Sequence, residues 1–200
     1  MKNYILLLRP KDWAKNAFLF LPLFFSGQLF QTELLLKAAE GFICFCLVAS
    51  SIYIFNDYRD IEDDKNHPVK SKRPLASGAV NKTLALVIAS VLMVAGLVFA
   101  WFIRDKFFFV LSIYLVLNIA YSAGLKQIPI LDIFIIAIGF VLRVKGGSVI
   151  TMIPLSEWWV IRIFLLALFL ALAKRRDYVL VKLKSGKDMR AAVKGYNLEF

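Results

Sequence analysis

The sequence predicts an all-α, polytopic helix bundle that spans a membrane, and three observations predict it. Apolar residues make up 60% of the 200-residue chain, against about 45–50% in a typical soluble domain. Mean hydropathy is +0.70, and the apolar residues come in long blocks rather than amphipathic stripes, more than a core of this size can keep from water. Basic residues give a formal net charge of +11 and gather beside those blocks, as the topology rule for membrane proteins requires. A nucleic-acid footprint would instead gather them on one surface. Nucleic acid is therefore excluded as a partner, and the expected partner of the apolar surface is a lipid bilayer.

A spanning helix needs roughly 20 mostly apolar residues. Six segments qualify: residues 14–30, with Pro22 expected to kink the helix, then 34–55, 83–103, 107–123, 130–152 and 158–173. The whole of 1–200 reads as one transmembrane domain carrying a cytoplasmic Asp-rich loop at 56–82 and a cytoplasmic basic segment at 174–200.

Lysine and arginine set the orientation. Nineteen of them fall before or in the first turn of the first segment, between the second and third, between the fourth and fifth, or after the sixth; only Lys37, Arg104 and Lys106 fall at or beyond the opposite ends. The N-terminus and the large loops are therefore expected in the cytoplasm. Arg143, Lys145 and Arg162 lie in or near the fifth and sixth segments. A charge at mid-membrane costs at least about 2.5 kcal/mol, so such residues line polar pockets or reach to the interface. Arg143 is read as lining a pocket and meeting an anion. Lys145 is read as snorkelling, and Gly146-Gly147 as a point where the helix can break.

Several function classes have no footing here. Cys44 and Cys46 sit two apart in an apolar run, a spacing that suits buried small residues and neither a disulfide nor a metal site. No cleavage signal follows the first apolar stretch. The sequence holds no catalytic triad, P-loop, Rossmann fingerprint, solenoid repeat or low-complexity tract. His67, the one histidine, is read as a structural hydrogen-bonding residue, since no nucleophile accompanies it. Trp13 and Lys15 are expected to mark the membrane interface.

The chemistry concentrates in NDYRDIEDDKNHPVKSKRPLASG, residues 56–78. Asp57, Asp60 and Asp64 stand at i, i+3 and i+7, so a helical extension of the second span places them on one face, with Glu62 and Asp63 pointing elsewhere. Carboxylates that close together repel unless a cation compensates, and oxygen-only ligation suits Mg2+, which uses a few carboxylates, waters and substrate phosphate oxygens. Lys70, Lys72 and Arg73 follow within ten residues. Acidic ligands for a metal beside basic donors for phosphate make a diphosphate site.

NDxxDxxxD, standing here as Asn56-Asp57, Asp60 and Asp64, resembles the first aspartate-rich motif of the UbiA-type intramembrane prenyltransferase superfamily, and RPLASG and YSAGLKQIPILD strengthen the resemblance. RPKDWAKN, HPVKSKRPLASG, FIIAIGFVLRVKGG and LALAKRRDY resemble its decaprenyl-phosphate phosphoribosyltransferase branch. The resemblance covers nearly the whole chain. It implies an all-helical fold with Asp-rich loops over a cavity open to the bilayer, in a bacterial inner membrane. It implies transfer of a 5-phosphoribosyl group from phosphoribosyl pyrophosphate to a polyprenyl phosphate with Mg2+ as cofactor. Asp57, Asp60 and Asp64 would then be the catalytic, metal-binding residues, with Asn56 orienting a carboxylate or a metal-bound water. Lys70, Lys72 and Arg73 would take the donor's phosphates, and Lys126, Arg143, Lys174, Arg175 and Arg176 the acceptor's.

Two departures from the family pattern stand out. The second acidic motif is reduced to Asp177 in KRRDYVL, with Ala173 and Val181 four residues to either side. The family has nine helices, and the six expected here correspond to its first two-thirds, so the chain reads as C-terminally shortened. Prenyl transfer from a polyprenyl diphosphate to an aromatic or other polar acceptor uses the same Asp motif and is the alternative. A non-catalytic membrane scaffold or transporter is the alternative from another class. Polyprenyl chain length and oligomeric state have no signature in the sequence.

Overall fold

The computed structural model describes residues 2–185, with the backbone alone at 178, 179 and 181–185; the expected basic segment from 186 to 200 lies outside the described residues. Among them the chain is all helical. Eight α-helices follow in order: α1 (Lys2–Leu8), α2 (Leu21–Phe25), α3 (Thr32–Arg59), α4 (Ile61–Lys65), α5 (Lys82–Ile103), α6 (Asp105–Ala123), α7 (Leu131–Thr151) and α8 (Glu157–Ser185). Three 3-10 helices, Pro10–Phe20, Lys70–Lys72 and Leu125–Gln127, complete the set. Helices α3, α5, α6 and α7 are long and apolar enough to cross a membrane, and they contain or closely match the second to fifth expected spans. The sixth lies inside α8, whose 29 residues suffice in length but whose apolar stretch is interrupted by Glu157, Arg162 and Lys174.

The first expected span is not one helix. Residues 10–20 form an 11-residue 3-10 helix and 21–25 a short α-helix. In a 3-10 helix side chains at i and i+3 eclipse, so Trp13, Asn16 and Leu19 share one row. Asn16 and Leu19 are fully buried. An α-helix would rotate each third position away by roughly 60° and scatter this row. Inward-facing residues that repeat every three thus select the tighter helix.

Internal contacts divide the chain into two units: Met1–Leu115 with Arg143–Pro154, and Val116–Leu142 with the chain from Leu155 onward. In the first, α3 packs along α5. The buried residues of α5 are all small, Ala85, Ala89, Gly96 and Ala100, while Val87, Val91, Val94, Val98 and Phe102 are exposed. This inverts the pattern of a soluble helix. Lipid tails offer no less apolar contact than another helix, so association relies on close packing of small residues. A Cβ on Gly96 would lie 2.8 Å from Val48 Cγ2 and 3.2 Å from the Cys44 carbonyl oxygen.

The Gly146-Gly147 pair does not break α7, which runs unbroken to Thr151. It serves close approach: a Cβ on Gly147 would collide with the Leu19 backbone, and one on Gly146 would meet the Phe45 ring. Both contacts tie α7 to elements of the first unit.

The candidate site grows from the end of α3. Its 28 residues span roughly 42 Å at 1.5 Å per residue, longer than a hydrocarbon core of about 30 Å, and Asn56 and Asp57 lie in its last turn. An apolar cluster of Leu7, Ile54, Ile61, Leu75, Val80, Ala85 and Ala89 sits beneath, pinning the loop through Leu75 and Val80. Asn81 closes the loop by capping α5, its side chain accepting from Thr83 N and Leu84 N.

Gly147→Ala is expected to destabilise the protein by more than Gly146→Ala, because the Leu19 backbone cannot yield as the Phe45 ring can. Overpacking typically costs about 1–3 kcal/mol, so Gly147→Ala should fall at or above that range. Thermal unfolding of both variants in detergent checks the order; equal midpoints would show the strap at 10–20 to be loosely held.

Candidate diphosphate site

Asp57 and Asp64 are buried, at 3% and 1% exposure, whereas Glu62 and Asp63 point to solvent. Lys65 donates to Glu62 at 2.9 Å, and this ammonium holds the Glu62 carboxyl below its usual range. That pair lies on the outer surface, apart from the site.

The helix does not continue through the motif. It ends at Arg59; Asp60, with φ −93° and ψ 13°, is the junction, and α4 starts at Ile61. The register expected from unbroken helical spacing therefore holds for Asp57 and Asp64 and fails for Asp60. Asp60 is half-buried and accepts from Asn56 Nδ2 at 3.1 Å. Among the described residues no three carboxylate, imidazole or thiol groups converge on one point. The expected three-carboxylate cluster is corrected to a convergent pair.

Cations meet that pair. Arg9 donates from Nε to Asp57 Oδ2 at 3.2 Å and from Nη2 to Asp57 Oδ1. Arg73 Nη1 donates to Asp57 Oδ1 at 3.0 Å and to Asp64 Oδ2 at 2.5 Å. Lys70 Nζ lies 3.5 Å from Asp64 Oδ1, beyond a good hydrogen bond, and that buried oxygen has no hydrogen-bond partner. Lys72, expected at the phosphates, is exposed. The turn bearing these cations is capped by His67, whose Nδ1 accepts from Val69 N at 3.2 Å and Lys70 N at 3.3 Å. An Nδ1 that accepts carries no proton, and His67 has the structural role expected of it.

Arg9 was counted in the sequence for topology alone. It lies 48 residues from Asp57, so no local spacing joins them; RPKDWAKN was the available signal. Its φ of 52° and ψ of 59° are left-handed, a conformation of order 1–3 kcal/mol above the favoured regions for such a residue. The guanidinium also lies over the Tyr53 ring, 5.3 Å from its centroid.

The donor set fits Mg2+. Two convergent carboxylates, one of which keeps a buried oxygen that accepts no hydrogen bond, and a third beside them form an oxygen-only set. Mg2+ is commonly held by one or two carboxylates, with waters and phosphates completing its shell.

Arg143 is buried at 5% exposure. Its Nε donates to Asn16 Oδ1 at 2.9 Å and Nη2 to Tyr114 OH at 2.8 Å; Asn16 Nδ2 in turn donates to Cys46 Sγ at 3.3 Å. Lys145 on the same helix is exposed, as are Lys174, Arg176 and Asp177 on α8; Lys126 is half-buried. Trp13 Nε1 donates to Ser50 Oγ at 3.0 Å, so Trp13 fastens the N-terminal strap to α3.

Arg175 differs from the expectation that it meets the acceptor's phosphate. In the second unit its Nε donates to Asp132 Oδ2 at 2.7 Å and its Nη2 to Tyr121 OH at 3.4 Å. Asp132 is fully buried. A buried aspartate requires a cation or donors, and Arg175 supplies them. Asp132 was quoted in YSAGLKQIPILD but not picked out, because its partner is 43 residues away.

Comparison with known proteins bears on the whole chain. Residues 18–198 match the model of the UbiA prenyltransferase family. The chain is 36% identical over 197 residues to the decaprenyl-phosphate phosphoribosyltransferase of Mycolicibacterium smegmatis, covering 96% of this chain and 62% of the relative. It is 34% identical over 193 residues to that of Mycobacterium tuberculosis, covering 94% and 64%. It thus spans under two-thirds of the length of these curated relatives. The fold is similar to a solved UbiA homolog from Archaeoglobus fulgidus bound to DMAPP and Mg2+, with TM-score 0.76 and 21% identity, covering 92% of this chain and 66% of that one.

Removing one partner of a buried ion pair costs about 3–5 kcal/mol, while replacing both by apolar residues costs far less. Arg175→Leu should therefore destabilise the protein by about 3 kcal/mol or more, and Arg175→Leu with Asp132→Leu by clearly less. Denaturation midpoints of the single and double variants test this; a double variant as unstable as the single would give Asp132 a role beyond pairing.

Proposed function

The chain belongs to the UbiA prenyltransferase family, and on that premise we propose that it carries the donor-diphosphate site of a membrane transferase moving a 5-phosphoribosyl group from phosphoribosyl pyrophosphate to a polyprenyl phosphate. The observation that carries the reading is the buried Asp57–Asp64 pair at the end of a membrane-spanning helix, met by Arg9, Lys70 and Arg73. The choice of donor is supported by the relatives named decaprenyl-phosphate phosphoribosyltransferase.

In this reading Asp57 and Asp64 hold Mg2+, with Asp60 beside them kept in place by Asn56. When bound, the ion offsets negative charge gathering on the departing diphosphate. Lys70, Arg73 and Arg9 supply charge-assisted hydrogen bonds to phosphate oxygens, and Lys72 draws the anion toward the loop. The bond from the anomeric carbon to diphosphate breaks and the electron pair leaves with diphosphate; a bond from an acceptor phosphate oxygen replaces it. That oxygen is already anionic at neutral pH, so no strong general base is required. Candidates for the acceptor's phosphate are Arg143 in the first unit and, separately, Lys126, Lys174 and Arg176 in the second; Asp177 is assigned to the remnant of the second acidic motif.

A donor assay in membranes decides between transferred groups. Labelled phosphoribosyl pyrophosphate should label the lipid fraction, whereas labelling from farnesyl diphosphate alone would move the reading to prenyl transfer. In the longest form of the protein that turns over, Asp57→Asn and Asp64→Asn should each lower activity at least about tenfold, roughly 1.4 kcal/mol. Asp63→Asn, on the solvent face, should change it little. An Asp63→Asn loss equal to that of Asp64→Asn would sink the assignment.

The loop is proposed to face the cytoplasm, on the nineteen-to-three bias of Lys and Arg. A cysteine placed at Ser71, which is half-buried, should react with an impermeant thiol reagent only in opened cells. Reaction in intact cells would reverse the topology.

A further inference from the structure

A single nitrogen, Arg73 Nη1, serves both buried carboxylates, at 3.0 Å from Asp57 Oδ1 and 2.5 Å from Asp64 Oδ2. A cation that bridges the same two oxygens competes with that nitrogen for the space between them. We infer that Arg73 is the stand-in for the metal: without a divalent cation its guanidinium holds the position between Asp57 and Asp64, and cation entry releases it to a phosphate oxygen of the donor. The inference rests on the reading of this site as one for Mg2+ and diphosphate.

Charge and geometry support an exchange over simple addition. Two buried carboxylates already meet Arg9, Lys70 and Arg73, so a further dication entering with all three in place would build up positive charge where little water screens it. Diphosphate reverses the balance, because its oxygens accept the displaced guanidinium. Cation and diphosphate should thus favour one another's binding, and such coupling is reciprocal. Asp64 Oδ1 accepts no hydrogen bond and has Lys70 Nζ at 3.5 Å, so the protein's own cations leave part of this buried charge poorly met, and a dication on the carboxylate offsets it more fully.

The loop makes Arg73 the movable partner. It follows the 3-10 turn Lys70–Lys72 in extended backbone, φ −65° and ψ 145°, as a residue before proline should. Its own backbone is held locally, N to the Lys70 oxygen at 2.9 Å and O from Ser77 N at 2.9 Å. Side-chain rotation alone can therefore release the guanidinium while the turn stays folded.

The test uses the full chain in lipid nanodiscs and Mn2+ as the probe, followed by electron paramagnetic resonance without substrate. Arg73→Gln should bind Mn2+ at least threefold more tightly than wild type, because a competitor has been removed, whereas Asp57→Asn and Asp64→Asn should bind more weakly. Should Arg73→Gln bind no more tightly while the aspartate variants weaken, the stand-in idea fails and the metal site survives. Should the aspartate variants bind as wild type does, the metal reading falls and takes the inference with it. A second measurement needs no variant. Phenylglyoxal labelling of Arg73, read by peptide mass spectrometry, should quicken at least threefold at saturating Mn2+ and slow again on addition of inorganic pyrophosphate. Labelling that is indifferent to Mn2+ overturns the inference even if Arg73→Gln does not fold.

Discussion

Burial of Asp57 and Asp64 is the constraint on which the rest of this end of the molecule depends. A carboxylate removed from water is tolerated only when cations or several donors meet it, and the cations that meet this pair come from two segments far apart in the chain. Arg9 arrives from the N-terminal strap, and Lys70 and Arg73 from the turn that His67 caps. The apolar cluster of Leu7, Ile54, Ile61, Leu75 and Val80 closes beneath them, bringing the strap, the end of α3 and the loop to one place. Leu7 lies two residues before Arg9, and Leu75 two after Arg73. The same hydrophobic packing that shuts water out therefore delivers the charges that make its exclusion tolerable.

What was legible in the sequence follows from the range of the interactions. Apolar blocks long enough to span a bilayer show in composition, and α3, α5, α6 and α7 answer to them. The block at 14–30 misled because composition does not distinguish a period of three from one of 3.6, although Trp13, Asn16 and Leu19 had it all along. Gly146-Gly147 misled for a different reason: a glycine pair permits either a break or a close approach, and only the Leu19 backbone opposite decides which.

The site divides in the same way. Asp57 and Asp64, seven apart, are both buried, and the bonds from Asp60 N to Asn56 O and from Asp64 N to Asp60 O carry helical spacing across the junction. Asp60 does not follow, since the helix ends at Arg59 and Asp60 becomes the joint. Pairs fixed by tertiary structure, Arg9 with Asp57 and Arg175 with Asp132, have no local spacing to betray them. Both partners of each pair nevertheless lie within the family-like strings, so buried ion pairing is one of the things those strings carry.

The two arginines on Asp57 are held in different ways, and the difference has a consequence for function. Arg9 gives Asp57 a two-pronged contact, lies over the Tyr53 ring and has its backbone fixed in a left-handed conformation at the head of the strap. That strap is in turn fastened to α3 through Trp13 and Ser50, and to α7 through Asn16 and Arg143. Moving Arg9 would disturb all of these. Arg73 divides one nitrogen between two carboxylates and hangs from a turn whose contacts are local. Of two positive charges on the same carboxylate, one is thus part of the scaffold and the other is held by the site alone. The proposed exchange of a protein cation for a metal and a polyanion would draw on both kinds: a fixed charge that keeps the aspartate aimed, and a loosely anchored one that can leave without unfolding what carries it.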